Sequence, residues 1–404
     1  MQEQKSAQEF KAGGLVLFAC FVGVATGLAS LSYYTAGIFM TSFEQEFGWS
    51  RAQISAQSLL GVGAIAIFAP FVGMLVDRFG TRYVATISLL FYALSFFLLS
   101  KFTTSLTSFY LISLAAAVLA IGTTPITFTR AITGWFNKAR GLALGMALVG
   151  TGVTGILAPL FLTPYVDENG WRSGLQVLGV IVFIAAIFVG IFLKDAPKLE
   201  DVSGPIEDAE AENTTTLSQT RTTRSVFILL AFIFLLVAIA VSGLIVHFIP
   251  MLKDAGVAPA KAGQFAAVIG LSIICGRIVT GFLIDRFFAP RVAAILFGLS
   301  ALGYAVFAFG GPNFAIFAAI AVGLSMGAEV DLIAFLTSRY FKLSSYGKIY
   351  GSLYVVFVVG AAISPVAMGY VFDRFGAYDL AIIVSVLCLA ASAFLSLLLP
   401  KYRI

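Results

Sequence analysis

Leu271-Ser-Ile-Ile-Cys-Gly-Arg277-Ile-Val-Thr-Gly281-Phe-Leu-Ile-Asp285-Arg286 is an apolar run with a single arginine in its middle. Read as a helix, it ends at Gly281-x-x-x-Asp285-Arg286, the point where such a helix leaves an apolar medium. Arg277 precedes Asp285 by eight residues, so at 1.5 Å per residue its stem begins roughly 12 Å inside that boundary. A charge at that depth costs at least about 2.5–3.5 kcal/mol. Arginine cannot shed its proton to escape the cost. An anionic ligand or a buried carboxylate is the usual compensation.

The rest of the chain agrees that the medium is a bilayer. Its 404 residues are 60% hydrophobic and 11% charged, with a mean hydropathy of +0.99, where soluble proteins carry about 25% charge. The abundant glycines, 39 of them, suit a helical bundle in which small residues let helices approach closely. Cys20, Cys275 and Cys388 all fall inside apolar runs, with neither a disulfide framework nor metal-ligand spacing. With one histidine and no nucleophile–base pair or phosphate-cradling loop, the sequence argues against an enzyme, and no metal or cofactor is expected. The net charge of +5 reads as a topology signal rather than a nucleic-acid footprint.

Twelve apolar runs have spanning length, near residues 13–40, 55–76, 83–100, 105–129, 141–163, 174–193, 226–249, 263–284, 291–310, 313–336, 349–371 and 379–399. The first is too long for a signal-peptide core and reads as a retained span. One long polar stretch interrupts them, with Pro197, Gly204, Pro205, a run of acids and a Thr/Ser tract, the composition of a flexible linker. The expected organisation is a six-span half over 1–194, a linker over 195–224 and a second six-span half over 225–404. The fold class is an all-α membrane protein of twelve transmembrane helices.

Basic residues orient it. With the N-terminus cytoplasmic, seventeen of the 25 Lys and Arg fall on the cytoplasmic side and six (Arg51, Lys101, Arg172, Lys253, Lys261 and Arg374) on the other, while Arg130 and Arg277 lie within spans. Both termini and the linker are therefore expected in the cytoplasm.

The halves repeat each other. Gly73-x-x-x-Asp77-Arg78-x-Gly80-x-Arg82 after span 2 is matched by Gly281-x-x-x-Asp285-Arg286 after span 8. Trp135-Phe136 then Gly141-x-x-x-Gly145 is matched by Tyr340-Phe341 then Gly347-x-x-x-Gly351, and Pro159 of span 5 by Pro365 of span 11. Two related six-helix halves hold a site between them near the midplane.

On these motifs the chain resembles the major facilitator superfamily over essentially its full length. The resemblance implies two pseudo-symmetric halves, secondary transport by alternating access and a working monomer. It also implies a gating role for the loop of Gly73, Asp77 and Arg78 and its copy at Asp285 and Arg286, through contacts that close the cytoplasmic side; a loop that only enforces topology is the alternative. The context Arg277-x-x-x-Gly-Phe-x-x-Asp is similar to the helix-8 arginine of monocarboxylate transporters and bacterial oxalate/formate antiporters, which binds the substrate carboxylate. A guanidinium suits a carboxylate because it pairs bidentately; a structural salt bridge to a helix-10 acid is the other reading. Three departures are informative. Monocarboxylate transporters have an aspartate one turn before the arginine, where Ile273 stands; their helix-1 lysine falls near Tyr34; the helix-11 lysine of the oxalate branch falls near Leu353. One central arginine suits a monoanion, and any proton site lies elsewhere.

Glu329 and Asp331 precede Tyr340 by 9 and 11 residues, roughly 14–16 Å inside. Residues two apart on a helix point in nearly opposite directions, so one is expected toward the cavity and the other sideways. A carboxylate there is either a proton-coupling group in competition with Arg277 or half of a structural ion pair. His247, at the outer end of span 7, titrates in the range for proton coupling or is a satisfied interfacial residue. Arg130, five residues before Trp135, reads as a gate or structural residue. Tyr33 and Tyr34 can line an organic-acid site or belong to an aromatic belt, and Tyr354 is a weaker candidate of the same kind.

The resulting expectation is a transporter of the cell (inner) membrane that takes up small organic monoanions with protons. Arg277, Tyr33 and Tyr34 would bind substrate, and Glu329, Asp331 or His247 would carry the proton. An organic-anion exchanger or proton-driven efflux pump is the runner-up, and a transporter-like receptor is disfavoured by the short cytoplasmic segments.

Overall fold

The computed structural model describes residues 2–137, 139–195, 217–342 and 345–402, and every element among them is helical. The first span is α1 (Gln2–Thr26) and α2 (Leu28–Phe47), and the second is α3 (Arg51–Ser55) and α4 (Gln57–Phe79). α5 (Thr81–Phe102) follows, then a fourth span of α6 (Leu106–Leu119), a 3-10 turn and α7 (Pro125–Trp135). The fifth is α8 (Arg140–Leu157) running through a π-turn into α9 (Thr163–Asn169), and the sixth is α10 (Trp171–Phe192). The second half is α11 (Leu217–Asp254), α12 (Pro259–Ile284), α13 (Ala289–Gly310), α14 (Ala315–Tyr340), α15 (Tyr346–Phe375) and α16 (Asp379–Leu397). Of the expected linker, 196–216 lie outside the described residues, and α11 begins at Leu217, inside the stretch assigned to it.

Among the described residues ten helical stretches are long and apolar enough to cross a membrane unaided, and an eleventh bends by 56° between Phe68 and Phe71. The span through α6 and α7 completes twelve. Large apolar side chains point outward along it all, Phe309 at 87% exposure among them, a surface that only lipid tolerates.

Helices pack in the same pattern twice. α1 lies on α8 and α10, α5 on α10, and α4 on α6; correspondingly α11 lies on α15 and α16, α13 on α16, and α12 on α14. Between the halves α2 packs on α11, α3 and α4 on α15, and α8 and α9 on α12. Glycine sets these distances: a Cβ on Gly270 of α12 would lie 2.5 Å from the carbonyl carbon of Gly155 on α8, and one on Gly37 of α2 would lie 2.1 Å from the Val246 carbonyl oxygen. Small residues are what let membrane helices approach to backbone contact.

The first span breaks at Gly27, beside the broken part of the fourth. The Thr123 hydroxyl accepts from the freed N–H of Leu28 at 2.9 Å, so the break leaves that donor satisfied. Two interrupted helices thus meet near the middle of the bundle, where such folds place their sites.

Candidate functional site

The α12–α14 contact fixes the arginine. Gly276, Gly323 and Gly327 form a seam in which a Cβ on Gly327 would come 2.7 Å from the Arg277 amide nitrogen. α14 therefore lies against the turn that bears Arg277, and its two carboxylates come close to the guanidinium.

They are not equivalent. Glu329 is 2% exposed, and its Oε2 is buried without a hydrogen-bond partner. Asp331 is one-third exposed, and its Oδ2 stands 3.8 Å from Arg277 Nε, which itself makes no hydrogen bond. Glu329 lies within electrostatic range of Arg277, of Tyr33 and Tyr34 on α2, of Tyr304 on α13 and of Tyr354 on α15. The Tyr33 hydroxyl is also buried, with Ser242 of α11 beside it, and its ring meets Tyr34 edge-on at 5.8 Å between centroids. The Tyr34 ring would lie 3.1 Å from a Cβ on Gly155, so α8 backs it. Buried polar groups are nearly always paired; here Arg277 Nε and Glu329 Oε2 are held without hydrogen-bond partners in one place between the halves.

Arg277, Glu329, Asp331, Tyr33 and Tyr34 are thus gathered as one cluster. Tyr304 was not singled out from the sequence: an aromatic in an apolar helix carries no signal of direction until the packing is known. Tyr354 closes the cluster from α15 and continues a stacked row with Tyr350 and Tyr346.

His247 lies elsewhere, in a seal on the face of the bundle away from the termini. Its Nε2 is 2.8 Å from the Pro365 carbonyl and 3.2 Å from Ser55 Oγ, and its Nδ1 is 2.9 Å from Tyr378 Oη. A carbonyl only accepts, so Nε2 carries the hydrogen, and Tyr378 donates to Nδ1. Tyr378 in turn accepts from Arg51 Nη1 at 2.6 Å. Arg51, only 2% exposed, donates to Asp254 at 2.5 and 2.9 Å and to Glu44 at 2.9 and 3.1 Å. Its guanidinium lies 3.7 Å over the Phe372 ring. The Asp373 carboxylate accepts from the amides of Arg51 and Ala52, both at 2.9 Å. Lys253 reaches Asp167 at 3.2 Å. Burial raises the Tyr378 hydroxyl above its ordinary pKa, with Arg51 pulling the other way. The sequence marked Arg51 only as a loop base; its partners lie 203 and 322 residues away, beyond the reach of any local pattern.

The opposite face is open. Asp77 and Arg130 pair there, each more than half exposed, within the first half. Arg78 lies over Phe79, and Arg286 stacks on Phe282 at 3.6 Å beside the exposed Asp285. A Cβ on Gly73, Gly141, Gly145, Gly281, Gly347 or Gly351 would meet nothing within 4 Å. These glycines of both halves therefore face free space, while Arg82 of the first motif is held by the Gly190 carbonyl and Trp135 by that of Lys194.

Comparison with known proteins agrees with this architecture. The sequence profile of the Major Facilitator Superfamily matches residues 22–365. The Escherichia coli protein named "Uncharacterized MFS-type transporter YhjX" is 27% identical over 84% of each chain. Monocarboxylate transporter 13 of Bos taurus is 26% identical over 96% of this chain and 90% of its own. Monocarboxylate transporter 11 of Homo sapiens is 25% identical over 96% and 83%. The crystal structure of a mutant of the nucleoside transporter NupG superposes with a TM-score of 0.74 at 13% identity, over 96% of this chain and all of that one. A bacterial homolog of the human lysosomal transporter Spinster, inward-facing and unoccupied, superposes with a TM-score of 0.71 at 18% identity over 95% and 96%. These likenesses are in fold.

Proposed function

This chain belongs to the Major Facilitator Superfamily and is a membrane transporter, and on that premise we propose that it carries small organic anions, monocarboxylates first among them, together with protons. The observation that supports this reading is the Arg277 guanidinium, held between the halves with an unpaired Nε and its acid at 3.8 Å rather than in hydrogen-bond contact. A structural ion pair closes to about 2.7–2.9 Å; a binding site keeps its donors available. Two relatives bearing the name monocarboxylate transporter favour a carboxylate as the anion.

In this mechanism the bundle works as a monomer in the cell (inner) membrane, with both termini and the 195–224 linker between halves 1–194 and 225–404 in the cytoplasm. The face sealed by Arg51 is then external, and the conformation is open to the cytoplasm. A substrate carboxylate pairs with Arg277, and Tyr33 and Tyr34 supply a donor and apolar edges. Once the guanidinium is occupied by substrate, Glu329 and Asp331 lose its support as anions. A neighbouring cation favours the ionised acid and its neutralisation favours the protonated one, which ties substrate to proton. On the return, Gly73 and Gly281 give close approach to the facing helices, and Asp77, Arg78, Asp285, Arg286 and Arg130 supply the charges that close the cytoplasmic side. His247 contributes through the external seal.

The test is uptake of labelled carboxylates into proteoliposomes under an inside-alkaline pH gradient, for wild type and Arg277→Ala. Accumulation that needs the gradient and is lost in the folded variant supports symport at Arg277. Uptake that ignores the gradient but responds to internal anion makes the protein an exchanger. Normal transport by Arg277→Ala refutes the assignment.

A further inference from the structure

Between the Arg277 cluster and the Arg51 seal lies a second space. It has a volume of about 260 Å³ and is walled by α2, α4, α5 and α6 of one half and by α15 of the other, with Tyr33, Gly61, Val62, Ile65, Phe96 and Val358 on its surface.

Its wall is mostly apolar, and its hydroxyls are spent on protein partners. Thr35 donates to the Leu31 carbonyl at 2.8 Å, Ser95 to that of Tyr92 at 2.6 Å and Ser113 to Gln57 at 3.4 Å, which leaves the Gln57 amide as a donor. Ser32 and Tyr92 bond each other at 2.8 Å. Ser58 donates to the carbonyls of Ser55 and Ala362 at 2.7 and 3.1 Å. A cavity water needs two to four polar partners, and a space without them stays dry and takes apolar guests. Tyr33 joins this space to the cluster: it is on the cavity wall, and its hydroxyl lies within electrostatic range of Glu329. The next residue, Tyr34, lies within range of Arg277. One turn of α2 therefore carries an apolar pocket on one side and the cation's surroundings on the other. The pocket also includes Ser55, which bonds His247 of the seal, so it ends beneath the closed face.

We infer that the substrates this protein prefers are amphipathic monocarboxylates, the carboxylate on Arg277 and an alkyl or aryl body in the dry cavity behind Tyr33. This rests on the reading of Arg277 as the anion site and specifies what is attached to the anion. A two-carbon acid would leave the cavity empty, whereas each added methylene would come out of water. At the usual value of a buried methylene, that is about a fourfold gain in affinity per carbon until the cavity is full.

The experiment is calorimetric binding of the straight-chain series from acetate to octanoate to the full protein in lipid nanodiscs, with empty nanodiscs as the blank for partitioning. Wild type is compared with Gly61→Phe and Val358→Phe, which fill the cavity from its α4 and α15 walls. A Cβ on Gly61 meets nothing within 4 Å, so that side chain enters free space. The expected result is a rising affinity along the series in wild type, and fillers that bind acetate as before but lose most of the gain for octanoate. A chain-length slope absent in wild type, or unchanged in both fillers, overturns the inference while leaving Arg277 as the anion site. Failure of every acid to bind wild type, or binding unaffected by Arg277→Ala, overturns the underlying reading and this one with it.

Discussion

Arg277 Nε stops 3.8 Å from Asp331 Oδ2, close enough for attraction and too far for a hydrogen bond. The Gly323 and Gly327 seam holds the two helices in backbone contact at this level, so the gap belongs to the rotamers and not to a loose interface. A cation kept this way is available to a ligand. Arg277→Ala should weaken carboxylate binding by about 10–150-fold, the worth of one charge-assisted contact of about 1.5–3 kcal/mol. Arg277→Lys should recover part of that loss, because the charge returns without the bidentate fork. Competition binding in nanodiscs measures both, and an Arg277→Lys affinity equal to wild type would remove the geometric part of the argument.

Glu329 and Asp331 should separate in their effects. Glu329 is buried with an unpaired oxygen, so Glu329→Gln removes a titratable group at little cost in stability. Exchange of substrate across the membrane should persist in that variant while accumulation driven by an inside-alkaline gradient falls by tenfold or more. Asp331→Asn frees the guanidinium instead, and substrate affinity should rise by about two- to fivefold, as for removal of a partly exposed ion-pair partner of up to about 1 kcal/mol. Gradient-driven uptake that survives in Glu329→Gln would move the proton to Asp331 or His247.

How much of this was legible before folding follows from how each feature is encoded. Twelve spans and a duplicated half are one-dimensional signals, carried by hydropathy and by motifs at fixed offsets, and the packing repeats them. Arg277 announced itself because a charge in an apolar helix needs a reason. Glu329 and Asp331 were legible as a pair, with one buried and one about one-third exposed, as two residues pointing apart on a helix can be. The Arg51 seal was not legible. Arg51 follows a helix cap at Ser50 like many surface arginines, and only tertiary structure brings Asp254, Asp373 and Tyr378 to it. His247, read from its position at a span end, gained its three partners by the same route. The cavity behind Tyr33 was invisible for a different reason: a void is a property of what fails to pack.

The seal makes a stability prediction. Arg51 is almost fully buried, and losing Asp254 removes two of its charge-assisted hydrogen bonds while Glu44 remains, a cost of about 3 kcal/mol at the usual worth of bonds to charged groups. Asp254→Asn should therefore lower the melting temperature or shift the protein toward the state open at Arg51, and cysteine labelling on that face tells the two apart. Tyr378→Phe removes a donor to His247 and an acceptor for Arg51 and should do the same more weakly, by about 1–3 kcal/mol. The pH sign follows from the raised Tyr378 pKa. A group more easily kept protonated when folded contributes fully below its unfolded value of about 10 and loses that contribution as pH rises through the higher folded value. The stability difference between wild type and Tyr378→Phe should thus be flat through neutrality and shrink in strong alkali; a difference that vanishes already near pH 7 would contradict this assignment of the hydroxyl proton.

The open face makes the complementary one. Gly73 and Gly281 occupy matched positions in the two halves, and a Cβ at either would meet nothing within 4 Å. Nothing in this conformation therefore demands glycine there, whereas the closed form of the same face brings α4 and α12 against the facing helices, where small residues are required. Gly73→Val and Gly281→Val should then melt within about 0.5 kcal/mol of wild type, as surface substitutions do, and bind substrate normally from this side. Net transport should fall by more than tenfold because the return step is blocked. Labelling of single cysteines on the Arg51 face should fall in parallel, since that face opens only when the other closes. Normal turnover in both variants would show that the two glycines are not closing surfaces. A large loss of stability without a change in labelling would place their role in folding instead.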